Sequence, residues 1–261
     1  MARPARWTDK DLGPSVVEYT LSSWKYFSDF INQEMLDYTT YVYRGHGDSS
    51  WKLEPTLDRI IKVPVSTRRT AHLERFKFET RGRRGANPAR MDDDNDWWAL
   101  GQHHGLATPL LDWTESPFVA LFFAASAANT LKSKKYSVYA LSQASVTRLN
   151  KEISGNDKVK LVNGQKPTVK IVRPLSDENK RLVSQRGLFT RGPNNIDLEE
   201  WVRTHSKESS NLEIIKITMP ASGVEECLRN LNRMNISHST LFPDLPGASE
   251  FCNSHLLISK Y

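Results

Sequence analysis

The residues best suited to chemistry fall in three separated clusters. The first is Tyr43-Arg-Gly-His46, with Trp51, Leu53, Pro55 and Arg59 downstream. An arginine at the end of a short strand and next to a glycine can offer its planar fork to a phosphate or carboxylate that comes close to the backbone. The same arginine can instead pin the 49–55 loop through its carbonyls. The second cluster runs from Gln102-His-His-Gly-Leu-Ala-Thr108 into Leu110-Leu-Asp-Trp-Thr114. Consecutive histidines on a strand point to opposite faces. His72, His205, His238 and His255 show no ligand spacing, and a zinc ion needs three or four converging donors, so no metal is expected. Asp112 follows an apolar stretch directly, which predicts a partly buried carboxylate with a partner. It serves as a cap or ion pair, or else Trp113 orients it into a cleft. The third cluster is Arg181-Leu-Val-Ser-Gln-Arg-Gly-Leu-Phe189, followed by Leu241-Phe-Pro-Asp-Leu-Pro-Gly247. There Gln185 reads as the lip of a strand, able to bond a ligand amide or to close a sheet edge.

A fourth feature is charge. From Arg59 to Arg90 there are ten basic residues against two acids, Glu74 and Glu79, whereas the whole chain carries only +6. Such a block attracts polyphosphate or nucleic acid, with Arg81, Arg83 and Arg84 as its densest part. The alternative is a solvated helix and loop, partly neutralised by the acids of Met91-Asp-Asp-Asp-Asn-Asp96.

The elements that must position these residues can be read from spacing. Trp24, Phe27, Ile31 and Met35 lie at helical intervals, predicting an amphipathic helix over 22–36. Tyr41 to Arg44 reads as a strand stopped by Gly45 and Gly47. Residues 67–82 and 97–102 read as helices, with 82–95 a loop between them. Residues 106–112 read as a buried strand. Ser116 and Pro117 mark a helix start, and Phe118 to Ala128 is apolar nearly all round, which places that helix in the core. Residues 136–141, 158–162, 168–172, 188–190 and 213–219 read as further strands, and 223–233 as a helix. The elements lack regular βαβ alternation. The expectation is therefore an α+β single domain with a mixed or antiparallel sheet core, flanking helices and a basic helical insertion at about 60–100.

Composition bounds the rest. With 38% hydrophobic and 10% aromatic residues the chain can bury a core, and its longest apolar run, Phe118 to Ala125, is too short for the roughly 20 residues of a membrane span. Two cysteines make no disulfide framework. The opening Met1-Ala-Arg-Pro-Ala-Arg-Trp7 lacks a signal's apolar centre, so a cytoplasmic protein is expected.

Taken together, the clusters resemble the FRG domain family. Tyr43, Arg44, Gly45, Trp51, Leu53, Pro55 and Arg59 match its opening signature. Gln102, His103, Gly105, Leu106, Thr108, Leu110, Leu111, Asp112, Trp113 and Thr114 match its longest one, which continues into Pro117, Ala120, Leu121, Phe123 and Ala124. Gln185, Gly187 and Phe189, and then Leu241-Phe-Pro-Asp-Leu, match the later elements. The resemblance runs from about Tyr41 to Gly247, and it departs from the pattern at His46, His104 and Pro246. It implies an extension at 1–39, helical in this chain, and an FRG domain over 40–261.

The layout is similar to that of ADP-ribosyltransferases, which implies an NAD-dependent enzyme modifying a protein or nucleic acid, in the manner of a toxin or phage-defence effector. In that comparison Arg44 holds the cofactor diphosphate or ribose. Tyr43, Gly45, His103, Thr108, Trp113, Thr114 and Phe189 line the NAD pocket, with Trp113 stacking on nicotinamide. Gln185 stands where such transferases place a glutamate, and Asp112 is the replacement carboxylate. The alternative is a non-catalytic nucleotide- or nucleic-acid-binding module that uses the basic 59–90 segment.

Overall fold

The computed structural model describes residues 5–174, 180–206 and 212–261. Its centre is one mixed sheet of eight strands: β1 (Trp7–Asp11), β2 (Val16–Leu21), β3 (Tyr41–His46), β4 (Leu110–Thr114), β5 (Lys135–Ser142), β6 (Lys170–Val172), β7 (Gly187–Arg191) and β8 (Ile214–Pro220). Their spatial order is β1-β2-β8-β5-β3-β4-β7-β6. Only β2 and β8 run parallel. The helices are α1 (Phe27–Phe30), α2 (Thr56–Ile60), α3 (Thr67–Glu79), α4 (Asp94–His103), α5 (Pro117–Leu131), α6 (Gln143–Ser154), α7 (Lys180–Gln185), α8 (Leu198–His205), α9 (Val224–Arg233), α10 (His238–Leu241) and α11 (Leu245–Leu257). This is the α+β architecture expected, and α2, α3 and α4 form the basic helical insertion.

The apolar helix is where its start signal put it. Ser116 accepts from the Val119 amide at 3.3 Å, Pro117 occupies the first turn, and Ala120, Phe122, Ala124 and Ala125 are fully buried. α5 packs on β3, and here the glycines act differently from the expectation. Gly45 does not stop the strand, which continues to His46 and ends before Gly47. Both glycines let helix and strand touch: a Cβ at Gly45 would stand 2.2 Å from the Ala120 carbonyl oxygen, and one at Gly47 would stand 2.5 Å from Ala127 Cβ.

The N-terminal segment also corrects the reading. Its helical part is present as consecutive turns over 24–35, but 7–11 and 16–21 are strands that extend the sheet. Val16 to Thr20 pair in register with Ile214 to Thr218 of β8, and Phe30 packs against Trp7 and Tyr19. Residues 158–162 form no strand beyond an isolated Val162–Gln165 bridge. The helices α6, α8, α10 and α11 were not anticipated.

Three apolar clusters fill the molecule. One joins α5, α9 and the 24–35 turns to one sheet face. Another packs α6 and α8 on the opposite face. The third places α2, α3 and α4 against β4 and β7. A buried ion pair ties the insertion down, because Arg69 donates to Asp58 at 2.7 Å and to Asn195 at 2.8 Å. Among the described residues no helix is long and apolar enough to cross a membrane.

Candidate active site at the split of the sheet

The sheet is weakest between β3 and β4, which pair through one residue couple, Tyr43 with Thr114. On either side of that gap the ladders are regular: Tyr41 to His46 pair with β5, and Leu110 to Thr114 pair with β7. Past the single couple the two halves diverge and leave backbone polar groups that need partners. Arg44 supplies one, its Nη1 donating to the Asp112 carbonyl at 2.8 Å. The same nitrogen reaches Asp112 Oδ2 at 3.2 Å. The guanidinium therefore bridges the split, and a hollow of about 380 Å³ opens beside it. That volume lies low in the usual ligand-pocket range of roughly 300–1,000 Å³.

Arg44, His103, Asp112 and Gln185, from four separate segments, all border this hollow. Phe123 of α5, Phe189 of β7 and Phe242 after α10 give it apolar walls, and Arg181 of α7 gives it a second guanidinium. Tyr43, Gly45 and Thr114 lie in its floor. Several of the sequence-derived placements change. Asp112 is not at the end of a strand but in the middle of β4, where its side chain is 59% exposed. Alternation along β4 then turns Trp113 to the other face. Trp113 still borders the hollow, but it is buried and its Nε1 donates to Thr190 at 2.9 Å, so little of the indole is open to stacking. Thr108 is buried outside the hollow and bonds the Gln102 side-chain oxygen, so it positions Gln102 instead of touching a ligand.

Gln185 closes α7, a helix before β7, and is no strand lip. Its Nε2 donates to the Leu241 carbonyl at 3.0 Å, and its own carbonyl accepts from Thr114 Oγ1 at 2.6 Å. This residue straps the closing motif to the hollow. The carboxylate instead has its own supports. Gln102 Nε2 donates to Asp112 Oδ1 at 2.6 Å, so one oxygen faces an amide and the other the Arg44 fork. Gln102 belonged to the family motif but carried no role in the sequence reading. The roles of Arg181, Phe123 and Phe242 were likewise unseen, although each lies in a segment already singled out.

His46 orients Arg44. It is buried beneath the strand, its Nε2 accepting from Arg44 Nε at 3.1 Å and its ring 5.0 Å from that of Tyr139. Burial first, and the Arg44 guanidinium next, push its pKa down from 6.5 to about 3. An unfolded chain takes up that proton near pH 6.5, whereas the folded one does so only near 3. The stability linked to His46 is thus complete above pH 6.5 and is lost as pH falls toward 3, at up to about 1.4 kcal/mol per pH unit. Burial lowers His103, His205 and His238 in the same sense. Urea unfolding is expected to show lower stability at pH 5 than at pH 7. His46→Gln, which keeps an acceptor for Arg44, should flatten that dependence.

The basic cluster lies apart from this hollow. Arg81 stacks on the Phe78 ring at 3.5 Å, Arg84 sits over Trp97 at 4.9 Å, and Arg83 is 75% exposed with Glu79 at 3.8 Å. Arg83 and Arg84 border a separate recess with Phe76 and His104. Lys77 and Arg69, from the same block, are committed to Glu74, Asp94 and Asp58. Among the described residues no three of His, Cys, Asp and Glu gather as a metal site would.

Residues 39–133, from β3 through α5, match the FRG domain family. The match holds Arg44, Gln102, His103, Asp112 and Phe123 of the hollow. Arg181, Gln185, Phe189 and Phe242, which complete it, come from beyond the matched residues. No curated protein and no solved structure matches the chain.

Proposed function

We propose that the hollow binds NAD and that the chain transfers ADP-ribose from it to a protein or nucleic acid. The observation that carries this reading is the meeting of Arg44 and Asp112 at the split of the sheet, a fixed cation and an exposed carboxylate in one cavity with aromatic walls. Arg44 suits the diphosphate, because its fork is always charged and already oriented by His46. Phe123, Phe189 and Phe242 offer apolar surface to a ring. When the bond between nicotinamide and ribose breaks, its electron pair leaves with the nicotinamide and the ribose becomes positive. Asp112, whose oxygens are held by Gln102 and Arg44, then stabilises that charge without reorganising. An acceptor nucleophile attacks the sugar carbon and gives up a proton, for which His103 is an available imidazole because burial keeps it neutral near pH 7.

The test is release of nicotinamide from labelled NAD, offered with mixed protein and nucleic-acid acceptors. Wild type should release it, and Arg44→Ala should not. Absence of release from wild type with every acceptor would remove the enzymatic reading.

A second reading is a nucleic-acid-binding module, favoured by the exposed Arg75, Arg81 and Arg83 on and just after α3. It predicts affinity for single-stranded nucleic acid that falls steeply with salt. The triple Arg81→Ala, Arg83→Ala, Arg84→Ala variant should then show a flatter salt slope, by about 0.7 unit for each phosphate no longer neutralised. Equal slopes in a filter-binding titration would exclude it.

A further inference from the structure

The hollow holds two guanidinium groups, and they come from opposite sides of the split: Arg44 from β3 and Arg181 from α7, which leads into β7. Each is matched by one carboxylate. Arg44 meets Asp112, and Arg181 meets Asp244, just after Phe242. The second pair is built differently. Arg181 directs both Nε and Nη2 at a single oxygen, Asp244 Oδ2, with the Nε bond at 2.8 Å. Its Nη1 has no partner among the described residues. The other carboxylate oxygen, Oδ1, is occupied elsewhere, accepting from the Gly247 amide at 2.9 Å as the cap of α11. The guanidinium lies over Phe242, 5.0 Å from the ring centroid, and is thereby held at the wall of the hollow. His103 borders the same wall, within electrostatic reach of both Arg181 and Asp244.

A partly exposed pair of this kind contributes little to stability, so an incoming anion can exchange for the carboxylate at small cost. A phosphate can offer a separate oxygen to each of two guanidinium nitrogens, whereas Asp244 meets both with Oδ2 alone. We propose that Arg181 is a second anion-holding position of the hollow, taking one phosphate of a dinucleotide diphosphate in place of Asp244 while Arg44 takes the other. This rests on the NAD reading of the cavity and adds a specificity determinant: the site selects two linked phosphates, not one anion. Asp244 then has a part in tuning affinity, competing with ligand for Arg181 while its other oxygen keeps α11 capped.

Calorimetric titration of the full chain with ADP-ribose tests this, using wild type, Arg181→Gln and Asp244→Asn. Loss of charge-assisted bonds from Arg181→Gln should weaken binding roughly 10- to 100-fold. Asp244→Asn removes the competing charge, and its amide oxygen still accepts the Gly247 amide, so binding should tighten several-fold. If Arg181 serves only to strap α7 to the α10–α11 segment, both variants loosen the wall and both weaken binding, and the proposal is overturned. Wild-type affinity in both variants overturns it too, leaving the Arg44 reading intact. Failure of wild type itself to bind ADP-ribose takes away the NAD reading and this proposal with it.

Discussion

Asp112→Asn is expected to slow nicotinamide release from NAD by roughly two to three orders of magnitude, the loss typical when one preorganised electrostatic group is removed from a developing charge. Its geometry makes the substitution informative. The asparagine has the same shape, its oxygen can still accept from Gln102, and the Arg44 fork keeps the Asp112 main-chain carbonyl at 2.8 Å. What disappears is the negative charge. Stability should scarcely change, because the Asp112 side chain is 59% exposed and such ion pairs are worth little. The expected result is an unchanged thermal midpoint, near-normal ADP-ribose affinity and a collapsed turnover rate. Equal rates in the two proteins would mean that the carboxylate only steadies Arg44, and chemistry at this site would need another group.

Gly45→Ala should have the largest effect on the fold. The added carbon would stand 2.2 Å from the Ala120 carbonyl oxygen and 2.6 Å from the Ala124 amide nitrogen, both backbone atoms of α5. Neither side can yield easily. α5 is buried along most of its length, and β3 is fixed in register on β5 through Tyr41 to His46. Overpacking against backbone costs about 3 kcal/mol or more, against a total stability of about 5–15 kcal/mol. For a chain of this size that corresponds to a fall in thermal midpoint of roughly 6–12 °C. Gly155→Ala is a control, since its added carbon meets nothing nearer than 3.4 Å. A Gly45→Ala protein that melts with wild type would contradict the close packing of β3 on α5, and with it the placement of Arg44.

How far the site was legible in the sequence follows from the same residues. The types were readable: an arginine beside a glycine, and a carboxylate beside an indole, are hard to explain as surface decoration. The direction of each side chain was not. Reading β4 as 106–112 instead of Leu110–Thr114 put Asp112 at the strand end and left Trp113 free to face a ligand. The true register sends Asp112 into the hollow and Trp113 into the core. Ending the strand at Asp112 hid the alternation that faces its two neighbours the opposite way.

The N-terminal strands escaped for a different reason. β1, Trp-Thr-Asp-Lys-Asp, is an exposed edge with no apolar alternation, and only its pairing with β2 makes it a strand. α6 did carry a signal, Val146, Leu149 and Ile153 along one buried face, that helical spacing could have revealed. Gln185 was placed by analogy with a glutamate, whereas its bond to the Leu241 carbonyl depends on two segments more than fifty residues apart.

The central claim, that Arg44 and Asp112 form one dinucleotide site, is tested most directly by a co-crystal structure with ADP-ribose. The ligand is predicted to lie in the split between β3 and β4, its diphosphate on the Arg44 guanidinium and its terminal ribose beside the Asp112 carboxylate. A ligand seated elsewhere, with Arg44 still closed on the Asp112 carbonyl and the hollow empty, would contradict that claim.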